Sequence, residues 1–226
     1  MTSLTAHLVT LDADEPHHLS GLLLVPPRAI ACYVLAHGAG SGMTHPFMEA
    51  VAIELAARRI ATLRYQFPYM QRGARRPDPP RVAEAAVRSA VIGAARLTAL
   101  PLIAGGKSFG GRMTSQAQAA LPLPGVRGLA FFGFPLHPAG QPASDRGRHL
   151  ADVHVPMLFL QGDRDKLADP QLIGRMTTQL GQRATLRIFP HADHSFHVPV
   201  KSGRTDSKIR DELSDAFADW LDTEIL

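Results

Sequence analysis

Short apolar runs recur along this chain, and between most of them lies a stretch with helical spacing. The runs are Ala29–Ala36, Ile60–Tyr65, Leu102–Ala104, Val126–Phe132, Val155–Gln161 and Ala184–Phe189. Continuous apolar runs of this length read as strands buried on both faces. The intervening segments read as helices over Pro46–Arg59, Arg81–Ala99, Phe109–Ala120 and Pro170–Leu180. Within the second, Ala83, Val87, Val91 and Ala94 share one face while Arg81, Glu84 and Arg88 turn away. Strands alternating with helices through short loops imply right-handed crossovers and a mostly parallel sheet covered on both faces. Thr5–Leu11 and His18–Pro26, separated by Asp12-Ala13-Asp14-Glu15-Pro16, read as an antiparallel hairpin on one sheet edge. A closing helix over Ser207–Thr223 places Ile209, Leu213, Phe217 and Trp220 at helical spacing. The expectation is an α/β fold with about eight strands, and 226 residues suit one domain spanning 1–226.

Composition narrows the function classes. The formal charge is +4, and much of the excess sits in Arg72, Arg75, Arg76 and Arg81. No long basic run and no interleaved aromatics accompany them, so a solvated loop is expected and no nucleic-acid partner. The lone cysteine, Cys32, lies inside an apolar run and reads as a buried, inert thiol. Met1–Asp12 has no basic region followed by an apolar core, and no long apolar run occurs, so a soluble cytoplasmic protein without membrane contact is expected. The histidines lack a ligand pattern such as H-E-x-x-H, so no metal is expected. Gly106-Lys107-Ser108 ends like a phosphate-binding loop, but Pro101 stands where the first glycine is required, and no cofactor is expected.

The chemistry concentrates at the ends of the apolar runs, where ligands bind in parallel α/β sheets. Gly106-Lys107-Ser108-Phe109-Gly110 fits a sharp strand-to-helix turn, with small residues relieving the crowding around a strained serine. Such a turn exposes Ser108 and aims the Phe109 N–H at charge developing on a substrate oxygen. A serine nucleophile needs an imidazole base, and the imidazole needs an acid to hold its tautomer. Asp163 and Asp165 follow one run, and His191, His194 and His197 follow the last. Arg64, Tyr65 and Phe67 follow another run end and are candidate pocket residues, although aromatics there serve as often in wall packing. His137 and Arg112 are further pocket candidates, and Lys107 is expected to point away from the reaction.

The order serine, aspartate, histidine, the elbow at Ser108 and the His37-Gly38 loop resemble the α/β-hydrolase superfamily over nearly the whole chain. Arg64–Met70, Gly105–Ser108, Gln161–Asp165 and Asp193–Phe196 resemble a small bacterial group of hydrolases. That group is akin to dienelactone-hydrolase-like proteins and related to the third subunit of the non-specific lethal chromatin complex. The resemblance implies Asp165, through its Gly-x-x-Asp spacing from Gly162, and His194, within Asp-His-Ser-Phe, as partners of Ser108. It implies that His37 props its loop and borders the pocket, and that the N–H groups of Ala39 and Phe109 form an oxyanion hole. Dienelactone hydrolases proper carry cysteine where Ser108 stands, so their substrate is not implied. About 20 residues separate Phe132 from Val155, too few for a packed cap domain. The expectation is a lidless serine hydrolase acting on a small soluble carboxylic ester, with thioesters and amides open to the same machinery. The alternative is a non-catalytic scaffold with the hydrolase fold, as the chromatin-complex relative suggests.

Overall fold

The computed structural model describes residues 4–12 and 18–226. The strands are β1 (His7–Asp12), β2 (His18–Leu24), β3 (Ala31–Ala36), β4 (Ile60–Tyr65), β5 (Leu102–Lys107), β6 (Val126–Phe132), β7 (Met157–Gly162) and β8 (Ala184–Phe189). They form one sheet in the order β1-β2-β4-β3-β5-β6-β7-β8. β1 pairs antiparallel with β2, and β2 with β4, while all other pairings are parallel. The expected hairpin is therefore the sheet's edge, and its turn over residues 13–17 lies outside the described residues.

Helices α1 (Pro46–Ala57), α2 (Pro68–Gln71), α3 (Pro80–Leu97), α4 (Phe109–Ala120), α5 (Pro170–Leu180) and α6 (Asp206–Glu224) cover both faces. Alternate side chains of each central strand enter opposite layers, because a strand's side chains point to its two faces in turn. Val34, Leu63, Ala104 and Phe131 pack with α3, α4 and α5, and Tyr33, Leu35, Ile103 and Phe132 pack with α1 and α6. Both layers bury apolar side chains, which is why these runs show no polar alternation.

Short helical elements occur where the sequence reads as loop. Pro68 opens the short α2, its fixed φ suiting a first helical position. Between β6 and β7, Asp145–Asp152 forms a 3-10 helix instead of open loop. Its Leu150, with Val153 just after it, is buried in the core, which draws this connection down onto the body, and no cap domain forms over the strand ends. Among the described residues, no helix is long and apolar enough to cross a membrane.

The strand order fixes where a site can form. From β3 the chain steps to β4 on one side, then crosses back to β5 on the other. The loops leaving β3 and β5 therefore part in opposite directions and leave a crevice at their carboxyl ends.

Candidate active site

Ser108 occupies the junction of β5 and α4 with φ +51° and ψ −115°, a conformation non-glycine residues seldom adopt. The surrounding backbone allows it only because two flanking positions carry no Cβ. A Cβ on Gly106 would stand 2.3 Å from the Ala36 carbonyl oxygen, and one on Gly110 would stand 2.6 Å from the carbonyl oxygens of both Ala36 and His37. The serine's own N–H donates to the Phe132 carbonyl at 3.1 Å, which extends the β5–β6 ladder to the turn itself.

From this turn a hydrogen-bonded chain runs inward. Ser108 Oγ lies 2.8 Å from His194 Nε2, and His194 Nδ1 lies 2.7 Å from Asp165 Oδ2. A carboxylate only accepts, so Nδ1 carries the imidazole proton and Nε2 is left to accept from the hydroxyl. The Asp165 carboxylate is fully buried, whereas the imidazole keeps 24% exposure toward the cleft. Leu167 N–H donates to Asp165 Oδ1 at 2.7 Å, and the Gln161 amide donates to Oδ2. Gln161 is itself fixed by accepting from the Phe134 N–H at 2.9 Å. Asp163 is exposed, as is His191. His197 is also exposed and pairs with Asp206 at 2.9 Å, and that hydrogen bond raises the His197 pKa.

The loop that carries His194 is a tight turn. Asp193 Oδ1 accepts from the N–H groups of Ser195 at 2.7 Å and His197 at 3.0 Å, and Phe196 takes φ +61°. On the facing side, the loop after β3 is tied down through Gly40 N–H, which donates to the Tyr69 hydroxyl at 3.0 Å. Ala39 is exposed there, and Phe109, as the first residue of α4, has an N–H with no intrahelical acceptor. A cleft of about 380 Å³ opens between these loops, lined by Ala39, Phe47, Lys107, Ser108, Leu167 and His194 among others.

Six candidate pocket residues do not line this cleft. His37 is buried, its Nε2 accepting from Phe67 N–H at 3.1 Å and its Nδ1–H donating to the Gly38 carbonyl at 2.7 Å. Burial pushes its pKa down to about 4, so it is a neutral prop. Tyr65 and Phe67 are fully buried in the layer beneath α3 and α4, with Phe67 packed 5.4 Å from Phe109. Arg64 points to the other layer, buried, with Nη1 donating to the Met43 carbonyl at 3.2 Å. Alternation along β4 sends these side chains into the two packed faces and not over the rim. His137 repeats the device of His37, donating to the Pro138 carbonyl and accepting from Asp169 N–H, both at 2.8 Å. Arg112 sits half-buried on α4 beside Arg146 and also lies off the cleft.

Other residues do line it. Lys107 was expected to point away, yet it forms part of the wall, because its long stem turns sideways past Gly133. Phe47 and Met48, from the first turn of α1, and Leu167, two residues past Asp165, complete the apolar side. Of these, Leu167 lies close to a strand end in the sequence, whereas Phe47 and Met48 reach the cleft from α1 and carried no such signal. Among the described residues, no group of three or more histidine, cysteine or acidic side chains is arranged to hold a metal.

The sequence matches the family described as "Alpha/beta hydrolase domain" over residues 29–222. Among solved structures, the chain is similar to a dienelactone hydrolase from Anabaena variabilis ATCC 29413, at 21% identity and TM-score 0.77, with 99% of each chain covered. It is similar to XC6422 from Xanthomonas campestris, described as a serine hydrolase without lid, at 24% identity and TM-score 0.72, with 97% of each covered. It is also similar to Est1E from Butyrivibrio proteoclasticus, at 16% identity and TM-score 0.65, covering 93% of this chain and 99% of the other. At these identities the solved structures speak to fold alone. With a family match over most of its length and the sheet order described above, the chain belongs to the α/β-hydrolase family.

Proposed function

We propose that this protein is a serine hydrolase that cleaves small carboxylic esters through an acyl-enzyme. The observation that carries the reading is the unbroken hydrogen-bonded row from Ser108 Oγ through the His194 imidazole to the buried Asp165. His194 takes the Ser108 proton as Oγ attacks the substrate carbonyl, and Asp165 stabilises the imidazolium that forms. The N–H groups of Ala39 and Phe109 receive the developing oxyanion, a contribution of about 100- to 1000-fold in rate per donor. The imidazolium then protonates the leaving alkoxide, and a water activated by the same base releases the acid. The uncovered cleft and its modest volume favour compact substrates over long acyl chains.

Ser108→Ala is expected to reduce p-nitrophenyl acetate turnover by roughly 10⁴-fold or more while the fold persists. A folded Ser108→Ala protein that turns over at the wild-type rate overturns the assignment. If the wild type neither turns over esters nor takes a fluorophosphonate at Ser108, the scaffold reading replaces it.

A further inference from the structure

Lys107 connects parts of the site that come from distant stretches of chain. Its stem leaves the end of β5 and passes Gly133, where a Cβ would stand 3.1 Å from Lys107 Nζ and 3.4 Å from His194 Nδ1. Nζ donates to the main-chain carbonyl of His194 at 2.6 Å. The same ammonium stands 5.5 Å from the ring centre of Phe196 and 6.0 Å from that of Phe47. Those two rings stack 5.9 Å apart at an interplanar angle of 10°. The residue beside the serine thus reaches across to the loop of the histidine and to the wall of the cleft.

That loop depends on tethers. Asp193 ties it within itself, and Phe196 holds a backbone conformation that costs energy for a non-glycine residue. The bond from Lys107 ties the main chain of this loop to the end of the strand that leads into Ser108.

We infer that Lys107 is a positioning residue: its ammonium, seated against Phe47 and Phe196, fixes the His194 main chain so that the imidazole stays aligned between Ser108 and Asp165. The inference rests on the proposed triad. Both the charge-assisted hydrogen bond and the cation–π contacts require the positive charge. Methionine at this position would fill similar space and supply neither.

The charged and titratable groups facing Lys107 are Asp165, from the loop after β7, with Asp193 and His194, from the loop after β8. Burial pulls its pKa down to about 8, with Asp165 and Asp193 opposing that fall. The tether therefore weakens as pH rises through about 8. Over the interval from about 8 to the ordinary value of 10.5, the folded chain has already released this proton and the unfolded chain has not. Lys107 thus makes the fold more stable as pH rises there, while alignment declines. A lysine with a merely structural role would leave the serine's reactivity unchanged.

The test is the rate of fluorophosphonate labelling at Ser108 from pH 6 to 10, in wild type and Lys107→Met, with cooperative melting as the check of folding. At pH 7 the folded variant is expected to label about ten- to a hundredfold more slowly, the effect of losing a hydrogen bond to a charged group. A folded Lys107→Met protein that labels at the wild-type rate overturns the inference. If the variant does not fold, the wild-type profile decides: a fall in rate above about pH 8 without melting upholds the role, and a flat profile to pH 10 refutes it. Absence of any wild-type labelling would instead strike the serine-hydrolase reading itself.

Discussion

The strained backbone of Ser108 is sustained by what its neighbours lack. Gly106 and Gly110 let β5 and α4 approach the β3 backbone to distances at which a Cβ would collide with carbonyl oxygens. Those obstacles are main chain, so no rotamer change relieves them. Gly110→Ala is expected to cost roughly 3 kcal/mol and to depress esterase activity further than stability alone explains, which paired urea melts and kinetics would reveal. The spacing of small residues around a serine is local, and this turn was legible in the sequence. The choice of Asp165 over Asp163 came from the resemblance, through the Gly-x-x-Asp spacing from Gly162, and not from local chemistry. Two residues apart, they differ in that Gln161 and the Leu167 N–H solvate only the second as it turns inward.

At the level of elements, the sheet derives its rigidity from helices that bury whole faces. Phe217 of α6 is fully buried, 4.9 Å from Tyr33 and stacked over Phe132 at 6.3 Å. Tyr33 in turn donates to the Ala130 carbonyl at 2.8 Å, joining β3 to β6 across β5. Phe217→Ala is expected to lower stability by about 3–5 kcal/mol, measured by denaturant unfolding, with activity retained where the protein stays folded. The apolar spacing of α3 and α6 predicted their buried faces, because helical periodicity is written in each segment separately. No such periodicity was available for Arg64, Tyr65 and Phe67, for which the sequence left pocket and wall packing equally open. Adjacency to a strand end does not tell whether the side chain turns over the rim or into a layer, which depends on the helices packed against β4.

Across the whole molecule, stability should vary with pH on both sides of neutrality. Burial pulls His37 and His149 down to about 4 from 6.5, with Arg112 assisting at His149. The unfolded chain therefore takes up protons near pH 6.5 that the folded chain refuses until about 4. Stability falls as pH drops through that window, by up to about 3 kcal/mol for His37. His149→Gln should make the decline in melting temperature between pH 6.5 and 4 shallower, and an unchanged slope would contradict the assignment. On the alkaline side, burial pushes Cys32 up to about 12, so the unfolded chain loses that proton first and its contribution to stability falls above about pH 9. The opposite contribution of Lys107 offsets it up to about 10.5, beyond which the fall from Cys32 is no longer compensated. By itself the sequence determined the alternating α/β pattern, the antiparallel edge and the serine turn, since each depends on spacing within a short stretch. Only the tertiary structure decided how the Asp165 carboxylate and the His194 imidazole line up with Ser108, and that Lys107 turns toward them. These contacts join the ends of β5, β7 and β8, and reach and burial between such ends follow from the order of strands in the sheet.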